Sequence, residues 1–158
     1  MIIKLREVTL KDWELFLKWW KDDELIQLTS GIKETSDDVL FGYFKQLVNS
    51  PKDHHFIILC GKKAIGHVAL SHKSKDISEI HIIIGEATYR GKGLGTEAIK
   101  KAAKLAFDEL GYNRIILEVR PDNRRAIQAY EKSGFVKVKL KKYHGTEQSI
   151  TLLMSLSK

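Results

Sequence analysis

The sequence predicts a mixed α/β (α+β) domain, a single sheet with helices on both faces. Three observations carry that expectation. Short apolar runs alternate with polar residues, while other stretches place apolar side chains every three or four residues. A glycine-rich turn, Tyr89 to Thr96, stands between a run of the first kind and one of the second. Read in order, the elements run β-α-α-β-β-β-α-β-α-β-β over one domain, residues 1–158, with no Gly/Ser linker, repeat or low-complexity tract to divide them.

Ile2 to Val8 reads as the first strand, and Thr9 as the cap of a helix presenting Trp13, Phe16, Leu17 and Trp20 on one face. Trp20 is expected in the core and its neighbour Trp19 along a groove. A second helix spans Asp37 to Asn49 and stops before Pro51. His55–Cys60 and Ala64–Ser71 form a hairpin about Gly61-Lys62-Lys63, and Asp76–Ile84 is the fourth strand. The helix from Thr96 buries Ala98, Ile99, Ala102, Ala103, Ala106 and Leu110 and ends at Gly111. Arg114–Val119 follows as a strand, then a helix capped by Asn123 or Asp122 that stops at Gly134. Phe135–Lys141 and Gln148–Leu156 close the order around a turn at Gly145.

Length and composition bound the function. At 158 residues the chain can bury one sizeable core. No run of eighteen apolar residues and no leader pattern occurs, so a cytoplasmic location without membrane contact is expected. Cys60, the single cysteine, sits in an apolar run and reads as a buried thiol. The six histidines lack metal-ligand spacing on one helix face, so no metal is expected. The net charge of +7 is uneven: residues 1–89 hold 12 basic and 13 acidic groups, residues 90–158 hold 15 and 7. A basic half suits nucleic acid or a polyphosphate; only the polyphosphate also accounts for the glycine turn.

That turn is a phosphate seat. Gly91, Gly93 and Gly95 let the backbone bend and bring its N–H groups close to an anion. The helix that follows aims its unsatisfied amides and positive dipole end at the same point. It is no P-loop, because Gly93 stands where the magnesium-binding hydroxyl would follow Gly91-Lys92. Nor is it a dinucleotide fingerprint, since Gly95 comes two places after Gly93 instead of three.

The element order with this loop resembles the GNAT superfamily of N-acetyltransferases. Arg90, Gly93 and Gly95 match that family's coenzyme A motif, Arg/Gln-x-x-Gly-x-Gly/Ala. A second and more specific signature runs from Asn123 through Ala126, Tyr130, Glu131, Lys132 and Gly134 to Phe135. Within the superfamily the chain looks like the branch of ribosomal-protein N-terminal and spermidine acetyltransferases. The resemblance implies a mostly antiparallel sheet whose fourth strand carries a bulge and splays from the fifth. It implies transfer of acetyl from acetyl-CoA to a primary amine, of a small molecule or a protein N-terminus, by direct attack in a ternary complex.

Roles follow residue by residue from that resemblance. The main chain from Arg90 through Gly91, Lys92, Gly93, Leu94 and Gly95 to Thr96 grips the pyrophosphate, with Arg90 and Lys92 adding charge. Amides of Ile82, Ile83 and Ile84 pair with the pantetheine arm and hold the thioester carbonyl. Tyr130 protonates the leaving thiolate; a neutral phenol, with a pKa near 10, can donate to a sulfur anion near 8.5. Asn123 touches pantetheine or phosphates, or is simply a helix cap, and Lys132 reaches a phosphate or lies free on the surface. The base that deprotonates the ammonium is Glu79 first and Glu118 second, or else a water relay.

Two other classes stand beside the enzyme: a CoA-binding module without activity, and a basic nucleic-acid binder with a steep salt slope. The segments Asp22-Asp23-Glu24 and Glu34 to Asp38 suit a cationic acceptor, or serve helix dipoles. Relatives are often homodimers, and nothing in the sequence marks a dedicated interface.

Overall fold

The computed structural model describes residues 2–28, 36–143 and 150–158. Seven strands form one sheet: β1 (Ile3–Glu7), β2 (His54–Cys60), β3 (Lys63–His72), β4 (Ile77–Ile84), β5 (Arg114–Val119), β6 (Val136–Lys142) and β7 (Ile150–Ser157). Their spatial order is β1-β2-β3-β4-β5-β7-β6. Every neighbouring pair is antiparallel except β4 and β5, which run parallel. A parallel pair needs a crossover, here α4 (Leu94–Asp108).

The strands alternate their side chains between two apolar clusters. Ile58, Ile80, Ile115, Leu117 and Met154 point to the side covered by α4 and α5 (Arg124–Lys132). Ile57 and Ile83 point to the other, where α1 (Trp13–Trp20), α2 (Asp23–Leu28) and α3 (Asp37–Val48) pack. Helix α4 carries small residues on its inner face, with Ala98, Ala102 and Ala106 all fully buried, which lets it lie close against the sheet.

Four expectations need correction. Helix α2 has no counterpart in the order expected from the sequence. The helix expected from Thr96 begins two residues earlier, at Leu94, with Gly93 as its cap at φ +79°. The tryptophans exchange places: Trp19 is 1% exposed and Trp20 only half-buried. The reason is Gly85, where an added Cβ would stand 2.3 Å from the Trp19 indole, so glycine leaves the slot that Trp19 fills. Finally, β4 carries no bulge; its ladder with β3 runs unbroken from His72↔Ser78 to Gly66↔Ile84. The register shifts lie elsewhere, at Ile58/Leu59 and at Lys137/Lys139. Glu34 and the turn at Gly145 lie outside the described residues.

Candidate active site

Strands β4 and β5 pair only over Ile77↔Arg114, Ser78↔Ile115 and Glu79↔Ile116. Beyond Glu79 they part, and the rest of β4 faces the opening on that side without a ladder partner from β5. Buried backbone amides are nearly always paired, so such a strand margin is a place for an extended ligand to add itself.

A cleft of about 460 Å³ continues from this gap. Its walls come from Ile82, Ile83 and Ile84 on β4, the turn residues Arg90, Gly91, Gly93, Gly95 and Thr96, and Asn123, Tyr130 and Lys132 of α5 and its cap. Of the sequence-derived candidates, Lys92 and Leu94 are not among the wall residues, and Leu94 packs into the core instead. Tyr89, which opens the glycine-rich stretch, also faces the cleft, as do Leu25, Arg125 and Gln128, to which the sequence assigns no role. Arg125, Gln128 and Lys132 fall at helical spacing on one side of α5, a signal the sequence did contain.

The geometry of the turn suits an anion. Gly91 and Gly93 hold φ of +74° and +79°, a region that side-chain-bearing residues avoid. Gly95 has no such strain, and a Cβ there would meet only Ile84 Cγ1, at an ordinary 3.7 Å. Its missing side chain therefore leaves room in the cleft itself. Three features fit a pyrophosphate: bare backbone, the free amides opening a fifteen-residue helix, and the cations Arg125 and Lys132 on the facing wall.

The Arg90 side chain is turned away from that seat. Its Nε donates to the Ile84 carbonyl at 2.8 Å and its Nη2 to the Gly85 carbonyl at 3.1 Å. Nη1 lies 3.0 Å from the Glu24 carboxylate, an ion pair off the hydrogen-bond axis, and Nη2 lies 3.7 Å from Asp22. Arg90 thus ties the turn to the end of β4 and to α2, and two of the acidic residues seen in the sequence answer its charge.

Tyr130 is 6% exposed and meets Phe135 edge-on at 5.7 Å. Burial pushes its phenol well above the usual tyrosine range, so it stays a neutral donor. Asn123 caps α5, its Oδ1 accepting from the Ala126 amide at 3.3 Å, and it also faces the cleft. Both roles considered for it are compatible.

Glu79 and Glu118 flank the splay, on β4 and β5, on the side of α1 and α3. The His81 ring at 3.2 Å, and then Lys73 at 3.1 Å, hold the Glu79 carboxyl at about 2 against the opposing effect of burial. Burial alone would raise Glu118, but hydrogen bonds from Tyr143 and Thr151 bring it below its usual range. Both are carboxylates at neutral pH.

The family model for the acetyltransferase (GNAT) domain matches residues 3–136, and fold and cleft are compatible with that family. The chain belongs to the GNAT acetyltransferase family. An uncharacterized N-acetyltransferase of Methanocaldococcus jannaschii is 32% identical over 99 residues, 59% of this chain and 43% of that protein. The match therefore spans less than half of the archaeal relative's length. The aminoglycoside N(6')-acetyltransferase type 1 of Klebsiella pneumoniae is 25% identical over 147 residues, 84% of this chain and 73% of the relative. Among solved structures, the spermidine N-acetyltransferase of Vibrio cholerae in complex with CoA and spermine superposes with a TM-score of 0.86 at 21% identity. That superposition covers 98% of this chain and 95% of the other.

Proposed function

We propose that this protein transfers the acetyl group of acetyl-CoA to a primary amine by direct attack in a ternary complex. One observation carries the reading. The glycine turn at the start of α4, the unpaired stretch of β4 and the Tyr130 phenol all open onto one cleft. When bound, acetyl-CoA supplies an activated acyl carbon and a good leaving group. The chain's part is to hold, orient and move protons. Backbone amides from Gly91 to Thr96 take the pyrophosphate. An amide of the Ile82–Ile84 stretch donates to the carbonyl oxygen, where negative charge grows during attack. Tyr130 supplies a proton to the departing sulfur. Cys60 is buried, so a covalent acetyl-enzyme through the thiol has no support here.

The acceptor class we infer is a cationic amine. Asp22 and Glu24 answer Arg90, and Asp37 pairs with Lys21 at 2.5 Å, so these do not carry the inference. Glu79 and Glu118 beside the splay are likewise answered, by Lys73 and Lys141; what supports the class is that the similar proteins named above act on aminoglycosides or hold spermine. The test is thiol release from acetyl-CoA against a panel of polyamines, aminoglycosides, neutral amines and N-terminal peptides. Preference for neutral acceptors would discard the cationic class. Absence of turnover with every amine would discard the transferase reading.

A further inference from the structure

Deprotonation of the acceptor is the step for which no group has yet been fixed. We propose that His81 takes the proton from the acceptor ammonium and that Glu79 is the positioning residue that orients its ring. This rests on the acetyltransferase reading above.

Placement comes first. Ile80, Ile82 and Ile84 belong to the α4-side cluster and Ile83 to the α1–α3 side. Strand alternation therefore puts Glu79 and His81 with Ile83, on the face opposite α4 and α5. The phosphate turn and Tyr130 occupy the α4 side, so an acceptor approaches a thioester in the gap from the other face. His81 is the second residue past the last β4–β5 pair, Glu79↔Ile116, and stands at the mouth of the opening. Two strand residues, about 7 Å, separate it from Ile83, a span that one water completes.

Chemistry then separates the two residues. The Glu79 side chain is 11% exposed and locked between Lys73 and His81; a carboxylate held near 2 is a weak acceptor for a proton from an ammonium near 10. The His81 side chain is 58% exposed. With Nε2 donating to Glu79 Oε1, the lone pair lies on Nδ1. The ammonium N–H bond breaks as an Nδ1–H bond forms; Glu79 stays ionised and stabilises the imidazolium, which returns its proton to bulk water. The neutral amine forms the C–N bond as the C–S bond breaks, and the thiolate takes the Tyr130 proton. The surplus proton on the amide nitrogen restores the phenol through solvent, so one proton is released per turnover.

Charges facing His81 are Glu79 and, through it, Lys73 on its own side of the sheet, with Glu118 across the splay. His55 and His67 face it from β2 and β3. Those two stack 5.2 Å apart with a 3.0 Å nitrogen contact, and burial, the main cause, pushes them down to about 4 and about 3. They stay neutral where His81 is to work. Among the described residues no group of His, Cys, Asp and Glu is arranged to hold a metal ion.

The test is the pH profile of kcat/KM for the better of spermine and kanamycin, with CoA affinity measured in parallel. Wild type is expected to lose rate on the acid side as its base takes up a proton. His81→Gln should lower kcat about 100-fold at neutral pH, abolish that limb and leave CoA affinity unchanged. His81→Ala should regain rate with added imidazole. Glu79→Gln should lower kcat about tenfold with KM for the acceptor little changed, because the ring loses the carboxylate that orients it and stabilises the imidazolium. A limb unchanged in His81→Gln, with turnover intact, overturns this assignment alone. CoA binding without acetylation of any amine overturns the transferase reading and this assignment together.

Discussion

Arg90 Nε donates to the carbonyl of Ile84 at 2.8 Å, joining the glycine turn to the last residue of the strand that faces the gap. The same guanidinium reaches Gly85, Glu24 of α2 and Asp22 just before it. Removing it should loosen both the turn and the Leu25-bearing wall of the cleft. Charge-assisted hydrogen bonds contribute about 1.5–3 kcal/mol, so Arg90→Ala should raise KM for acetyl-CoA roughly tenfold or more. Arg90→Lys should behave almost as badly, because an ammonium cannot fork to two carbonyls and two carboxylates. Initial rates at varied acetyl-CoA check this; Glu24→Gln should show a smaller rise in the same direction.

Tyr130→Phe keeps the ring against Phe135 and removes only the hydroxyl. The expected result is a fall in kcat of about 100-fold with thermal stability and CoA affinity near wild type. Equilibrium titration with CoA beside steady-state rates separates lost chemistry from lost binding. A matching fall in affinity would assign the hydroxyl to binding instead.

Gly85→Ala places a methyl within 2.3 Å of the buried Trp19 indole. Overpacking of this kind costs about 1–3 kcal/mol, read as a lower midpoint in chemical denaturation. Trp19→Phe should recover much of that loss in the double variant. The indole Nε1 has no hydrogen-bond partner among the described residues, so its removal breaks no polar contact.

Stability should fall with acid well above the carboxylate range. His67 is held neutral at about 3 by burial, against an unfolded value of 6.5. A depressed folded-state value means the unfolded chain binds more protons throughout that window. The stability is complete above pH 6.5 and drains away as pH drops toward 3. From pH 6.5 to 4.5 this histidine alone accounts for about 2 kcal/mol, and His55 adds in the same sense. Thermal melts across this range should show the slope, and His67→Gln should flatten it.

Much of this architecture was legible because apolar spacing is a local signal. The Ile2–Val8 and Arg114–Val119 runs, the α4 alanines and the glycine turn each state their structure within a few residues. What escaped depends on distant partners. Trp19 and Trp20 cannot be ranked from helix spacing when the deciding fact is a missing Cβ at Gly85, far along the chain. Helix α2 is six residues long, too short to display a period. Arg90 fits a phosphate motif, yet its side chain answers to α2 and to two carbonyls, which no motif spacing encodes. His81, one of the six histidines, carries no local mark of a role for a similar reason: alternate strand residues share a face, but only the splay makes that face reachable.

Strand β6 lies at the sheet margin with Val136, Val138 and Leu140 exposed. Bare apolar margins invite neighbouring molecules to stack on and grow into fibres. Lys137, Lys139, Lys141 and Lys142 interleave with those residues, and the irregularity at Lys137/Lys139 breaks the ladder's regular register. Part of the positive excess after residue 89 therefore works as a guard against self-stacking, and neutralising Lys137, Lys139 and Lys142 should trade solubility for aggregation while sparing Lys141, which pairs with Glu118.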